Sequence, residues 1–183
     1  GKNIFKVNKN KQPQGVFASA IAGLLKNAPD FLSFYAPHSN SYRRLVHNAD
    51  HAPTTLSWGN ENRTALVRLP EASNNATRLE FRLPSADSNP YLVFASILAS
   101  VLNGIENEFN LEKETIGNAH AQHEPELGIT WREAVHKTSV SSVVKEFFGD
   151  RFQQSYQCVK ESEIKRFEST ITDFEYNSYL RHL

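Results

Sequence analysis

The stretch Arg78-Leu79-Glu80-Phe81-Arg82-Leu83 alternates charged and apolar side chains. In an extended strand, neighbours point to opposite faces and alternate residues stand about 6.5 Å apart. Leu79, Phe81 and Leu83 would therefore face a core, and Arg78, Glu80 and Arg82 the other side. A preceding segment, Thr64 to Leu69, carries Arg68 on the same face as Thr64 and Leu66, with Arg63 in the turn after Asn60, Glu61 and Asn62. If the two strands pair, several guanidinium groups converge around Glu80. Planar guanidinium forks bind phosphate and carboxylate oxygens bidentately, and a carboxylate among them is a ligand type suited to Mg²⁺. The competing reading is a solvated sheet face whose charges pair with one another.

Other chemistry is less well supported. His120 and His123 have the i, i+3 spacing of a metal pair, but they lie in a polar segment with no cysteine near, which favours a surface pair. No GxGxxG, P-loop or GxSxG pattern is present, which removes the common glycine-rich nucleotide cradles and the serine-hydrolase elbow. Cys158 has no basic neighbour on its helix and reads as a packing residue.

The elements that must position these residues follow from periodicity and breakers. Phe17, Ala20, Ile21, Leu24, Leu25 and Ala28 form one helical face between Gly15 and Ala28, stopped by Pro29. Residues 29 to 54, rich in Pro, Asn, Ser and His, read as a long functional loop. Three strands are predicted at Thr54 to Trp58, Thr64 to Leu69 and Arg78 to Leu83. Their connections are too short for crossover helices, so antiparallel pairing is expected. Asn89 and Pro90 start a helix whose stripe of Phe94, Ile97, Leu98, Val101, Leu102 and Ile105 should pack on the sheet. Residues 106 to 128 read as an irregular connection. Helices follow at Thr130 to His136, at Ser141 to Phe148 before Gly149, and from Asp150 through Phe174 as one packing element.

Composition limits what this scaffold can bind. The 183 residues carry 20 Lys+Arg against 20 Asp+Glu, for zero formal net charge. That balance, without a basic run, argues against nucleic acid or an anionic membrane surface as partner. The longest apolar stretch, Tyr91 to Leu102, is too short for a membrane span, which takes about 20 residues. The single cysteine and the lack of a secretory pattern fit a reducing, cytoplasmic setting.

Several ordered motifs then point to a family. Asn-Ser-Tyr-Arg-Arg-Leu-Val at 40 to 46, Ala-Pro-Thr at 52 to 54, Trp-Gly at 58 to 59, Asn-Arg-Thr at 62 to 64, Val-Arg-Leu-Pro at 67 to 70, Arg-Leu-Glu-Phe-Arg at 78 to 82 and Asn-Pro-Tyr-Leu at 89 to 92 are similar to the C-terminal catalytic region of the glutamine synthetase family. The likeness is dense over residues 15 to 108 and looser in the tail. Trp-Gly, Asn-Arg-Thr and Gly-Asn-Ala at 117 to 119 lean toward the branch that includes γ-glutamyl-polyamine ligases.

That resemblance implies an ATP-dependent ligase, with Mg²⁺ or Mn²⁺, that joins the glutamate side-chain carboxylate to ammonia or an amine through an acyl phosphate. By motif, Glu80 resembles a metal ligand. Arg63, Arg68 and Arg78 resemble ATP- and phosphate-contacting arginines, Arg63 with a catalytic role, and Arg44 and Arg82 resemble residues that hold glutamate. The family's flap glutamate has no counterpart in His47-Asn48-Ala49-Asp50-His51, where Asp50 or His51 is the substitute expected to serve catalysis. The implied fold is α+β, an antiparallel sheet packed by helices. Residues 1–183 would form the C-terminal part of the catalytic domain, without the N-terminal β-grasp domain and the first part of the catalytic domain. Such a fragment is expected to be inactive alone, whereas the parent would be a homo-oligomeric double ring. The alternative is a non-catalytic relative with an assembly or ligand-binding role.

Overall fold

A computed structural model describes residues 2–49 and 52–180. The chain opens with a small antiparallel hairpin, β1 (Lys6–Val7) and β2 (Pro13–Gln14). Helices α1 (Val16–Asn27), α2 (Leu32–Tyr35) and α3 (Ser39–Arg44) follow. A three-stranded sheet comes next, β3 (Trp58–Asn60), β4 (Val67–Leu69) and β5 (Glu80–Phe81), in the order β3-β4-β5. The rest is helical: α4 (Pro90–Glu106), α5 (Trp131–Val140), α6 (Ser142–Phe148), α7 (Asp150–Glu168) and α8 (Asp173–Tyr179). This is the expected α+β class.

The sheet departs from expectation in one pairing. β4 and β5 are antiparallel, but β3 and β4 run parallel, with Trp58 opposite Val67 and Asn60 opposite Leu69. A parallel pair ordinarily needs a long crossover. Here each strand rises only about 7–10 Å, a distance that the six residues between Asn60 and Val67 can retrace. Glu61 turns the chain at φ 50°, and its N–H donates to the Leu69 carbonyl at 3.0 Å. The first strand also lies later than predicted, at 58–60 rather than 54–58. Thr54 and Thr55 are buried outside the sheet.

Four helical expectations need correction. The segment read as a long loop contains α2 and α3, and its aromatic residues explain why. Phe31 and Phe34 pack tilted or edge-on against Phe148, Phe152 and Tyr156 in one aromatic cluster, so tertiary packing overrides the local Pro and Asn breakers around α2. The predicted continuous helix from Asp150 stops at Glu168. Thr172 then caps α8 through a capping box with Glu175. Ile171 and Phe174 are largely exposed, whereas Phe167, half exposed, meets the Trp131 ring edge to face, so packing ends with α7 and not at Phe174. Cys158 is likewise exposed on α7 rather than packed.

The fourth correction concerns α4, which packs on α1 rather than on the sheet. Ser19 and Gly23 of α1 meet Ser100 and Gly104 of α4, small residues four apart on both helices. A Cβ added to Gly23 would lie 2.2 Å from the Ser100 carbonyl oxygen, and one on Gly104 would lie 2.3 Å from that of Ser19. The buried face of α4 is therefore the small one, Ser96, Ala99, Ser100, Asn103 and Gly104. Much of the apolar stripe points outward, with Phe94 67% and Leu98 61% exposed. The predicted start is correct: the Asn89 side chain accepts from the Tyr91 N–H, with Pro90 in the first turn.

Candidate functional site

The cross-strand register of β4 and β5 sets Arg68 directly opposite Glu80, and Val67 opposite Phe81. Val67 goes into the core beside Leu66, Leu69 and Leu83, which leaves the alternate positions on the outer face. There Arg68 Nη1 donates to Glu80 Oε2 at 2.9 Å, and Arg82 Nε lies 3.5 Å from Glu80 Oε1. Leu66, expected beside Arg68, is instead fully buried, because the strand proper begins at Val67.

Arg82 reports the wider arrangement. Burial lowers its pKa and Glu80 raises it, while the positive charges of Arg68, Arg63 and Arg44 lower it. Arg68 and Arg82 thus share the Glu80 carboxylate, and Arg63 and Arg44 lie near enough to Arg82 for their charges to act on it. Arg82 also donates to the carbonyls of Arg63 and Ala65, which ties the charged strand to the β3–β4 turn. Arg44, at the end of α3, donates to the Leu83 carbonyl at 2.6 Å and to Ser85 Oγ at 3.3 Å, and its Nε is buried without a partner. Burial lowers the Arg44 pKa, partly offset by Asp87. Arg78 stands apart, lining a cavity of about 380 Å³ with Asn60, Leu69, Pro70 and Glu71.

A second carboxylate was not singled out from the sequence. Glu61 accepts from Arg68 Nη2 at 2.6 Å and from the Glu71 N–H. Its available signal was the Asn60-Glu61-Asn62 run, which had to be a turn and so placed an acid at the mouth of the charged face. The same turn is braced from below. The Asn62 carboxamide oxygen accepts from the Thr64 N–H and hydroxyl, and Nδ2 donates to the Thr115 and Gly117 carbonyls at 2.8 Å each. Glu114 accepts from the Asn60 N–H at 2.8 Å. Segment 114–119 of the polar connection is therefore the support that holds Arg63 in place.

The histidines do not assemble a centre. His123 Nε2 and Thr115 Oγ1 lie 2.8 Å apart, while the His120 ring sits edge-on to His47 at 5.4 Å. Among the described residues no group of three His, Cys, Asp or Glu could hold a metal ion. Glu80, already facing two guanidiniums, does not by itself fit a divalent cation, which needs several oxygen ligands. Asp50 and His51 lie outside the described residues.

The chain is an α+β domain, a mixed sheet with helices, whose outer face pairs Arg68 and Arg82 with Glu61 and Glu80. A family model described as glutamine synthetase, catalytic domain, matches residues 1–179, and the chain belongs to the glutamine synthetase family. It is 35% identical over 182 residues to gamma-glutamylputrescine synthetase PuuA of Escherichia coli (strain K12), covering 100% of this chain and 38% of that protein. It is 35% identical to a glutamine synthetase of Methanocaldococcus jannaschii, covering 88% and 37%, respectively. It is also 36% identical to gamma-glutamylethanolamide synthetase GlnA4 of Streptomyces coelicolor, covering 85% and 33%. The chain thus spans between 33% and 38% of the length of these relatives.

Proposed function

We propose that this chain supplies the anion-binding wall of an ATP-dependent ligase that joins the glutamate side-chain carboxylate to ammonia or an amine through an acyl phosphate. The observation that carries the reading is that Arg68 and Arg82 share Glu80 while Arg63 and Arg44 lie near enough to Arg82 for their charges to act on it. Counted with Glu61 and Glu80, these groups leave two net positive charges beside a sheet edge. Phosphoryl transfer to a carboxylate gathers negative charge at one place, and preorganised cations lower its barrier. In this reading Arg63 and Arg68 face the transferred phosphoryl group, and Arg78 holds ATP in the cavity next to them. Arg82, in the β5–α4 connection, and Arg44, which reaches that connection from α3, hold the glutamate carboxylates. Two of the relatives are named for γ-glutamyl amides of putrescine and ethanolamine, which favours an amine as acceptor.

ATP fits the donor set through its phosphates. Mg²⁺ or Mn²⁺ would take Glu80 as one ligand and needs others beyond it, so no step here runs through the metal. Asp50 or His51 remains the candidate to deprotonate the incoming amine. A homo-oligomeric parent and a cytoplasmic setting belong to the same proposal; no helix among the described residues is long and apolar enough to cross a membrane.

The test is titration of the 183-residue chain with inorganic phosphate and with glutamate. Phosphate should bind in a salt-sensitive way and lose about tenfold in affinity in Arg68→Ala. Arg44→Ala should weaken glutamate and spare phosphate. Phosphate release from ATP with glutamate and putrescine should match the buffer blank, because one carboxylate is too few for the metal. Unchanged phosphate binding in Arg68→Ala and Arg82→Ala would overturn the assignment, as would amine-dependent turnover lost in Glu80→Gln. The second reading is a non-catalytic relative with an assembly or ligand-binding role. A chain kept only for assembly would bind neither anion.

A further inference from the structure

The zero net charge of the chain is unevenly spread. Lys2, Lys6, Lys9 and Lys11 fall within the first eleven residues, and no acid precedes Asp30. The β1–β2 hairpin and the residues leading into it carry this charge, and all four lysines are exposed. The turn that presents Lys9 and Lys11 is fixed, because the Asn8 carboxamide oxygen accepts from the N–H groups of Asn10 at 2.8 Å and Gln12 at 3.0 Å. The lead-in is fixed as well. Phe5 stacks on Phe17 of α1 at 4.4 Å, and Asn3 Nδ2 donates to the Thr77 carbonyl, shortly before β5, at 2.8 Å.

Two adjoining cavities flank this hairpin. The cavity of about 380 Å³ that Arg78 lines is also lined by Lys9 and Lys11, and a second, of about 260 Å³, is lined by Lys2 and Lys6. Val7 and Thr77 belong to the walls of both. Among the described residues Glu71 is the one acid along either cavity, and it pairs with Lys11 at 2.6 Å. Lys2, Lys6, Lys9 and Arg78 make no ion pair with an acidic side chain among the described residues. Like charges gathered along one wall repel, and a bound anion removes the repulsion.

The distribution of the cations selects the anion. A compact anion meets the cations of a single cavity, whereas a chain of charges reaches both. Lysine binds phosphate as a point charge, without the planar fork that recognises a single carboxylate. We propose that the hairpin side of the chain is a binding site for a linear oligophosphate, laid along β1 from Arg78 and Lys9 to Lys6 and Lys2. The site shares Arg78 with the proposed nucleotide site and rests on that reading only there; the second cavity and the hairpin lysines lie outside it. Such a chain of phosphates is either free or the phosphate end of a nucleotide.

The experiment is calorimetric titration with sodium tripolyphosphate, without divalent cations, of the Arg68→Ala chain, in which the proposed phosphate wall is disabled. Tripolyphosphate should bind saturably below about 1 mM, and orthophosphate at least about tenfold more weakly. Added salt should weaken the binding, because the lysines are exposed. Lys6→Gln and Lys9→Gln, one from each cavity, should each lower the affinity severalfold, with an unchanged melting temperature showing that the fold is intact. With Arg68 restored, the Lys6→Gln, Lys9→Gln double variant should leave orthophosphate binding at the sheet face unchanged, so the two sites fail separately. ATP and adenosine distinguish the sources. ATP tighter than tripolyphosphate, with displacement by adenosine, assigns the phosphates to a nucleotide, and ATP no tighter than tripolyphosphate assigns them to a free oligophosphate. No saturable signal up to about 10 mM would overturn the proposal. So would equal binding of orthophosphate or of a hexaglutamate peptide, or an affinity unchanged in the double variant.

Discussion

The seam between α1 and α4 and the outer face of β4 and β5 are both close contacts, but they are close for opposite reasons. At the seam, glycine backbone meets carbonyl oxygen with no room for a methyl group. On the sheet face, long side chains meet through ion pairs whose carboxylates are about half exposed. The first contact has one solution, because backbone cannot move aside cheaply. The second can be traded, because an incoming anion can take over the guanidinium groups that Glu61 and Glu80 now occupy. Rigid sterics therefore belong to the platform, and exchangeable charge to the site.

The largest effect should come from breaking the seam. Gly104→Ala forces a Cβ onto the Ser19 carbonyl and the Gly23 backbone. The cost is expected at about 3 kcal/mol, beyond the small gain in helix propensity. A urea midpoint unchanged from the wild type would show that the helices can part. Gly149→Ala is the intermediate case, since nothing lies within 4 Å of its Cβ and only φ +82° resists the side chain. About 1–2 kcal/mol is expected there, and equality with Gly104→Ala would remove the distinction between contact and conformation. Glu80→Gln belongs at the other extreme, with less than about 1 kcal/mol of stability at stake because exposed ion pairs contribute little. If it instead unfolds the chain, the sheet face is structural rather than exchangeable.

The same contrast decides what the sequence could reveal. Charged alternation in Arg78–Leu83 placed Arg82 and Glu80 together and aligned them with Arg68, because strand period and register are local rules. The helix start at Asn89-Pro90 was equally local. What stayed hidden depended on partners distant in the chain. Gly23 and Gly104 carry no signal in either helix alone, so α4 was read as turning its apolar stripe inward when its small residues do so. The parallel β3–β4 pairing was hidden by a rule about crossovers that strands of three residues escape. Helix α2 forms around an aromatic cluster completed by Phe148, Phe152 and Tyr156, more than a hundred residues later. The Thr172-Asp173-Phe174-Glu175 capping box was legible and was overrun by an approximate apolar period.

The smallest expected effect tests whether the face is held by charge at all. Glu61 has its carboxyl held below its ordinary pKa of 4.5, first by the hydrogen bond from Arg68, then by the Glu71 N–H and the positive charges of Arg68 and Arg63, against a weaker opposing cost of burial. A pKa depressed on folding means that the unfolded chain takes up the proton more readily. The associated stability is fully present above the unfolded value and is lost as pH falls through the folded one. Melting temperature should therefore decline below about pH 4.5 more steeply in the wild type than in Glu61→Gln, which has no proton to gain. The carboxyls of Glu114, Glu133 and Glu175 are also held below their ordinary values, and all three are present in both proteins. The difference between the two curves isolates Glu61. It should close as pH falls and stay constant above neutrality. A gap that keeps its size down to strongly acidic pH would mean that the Glu61 side chain acts by shape and hydrogen bonding alone, and the view of this face as exchangeable charge would lose its support.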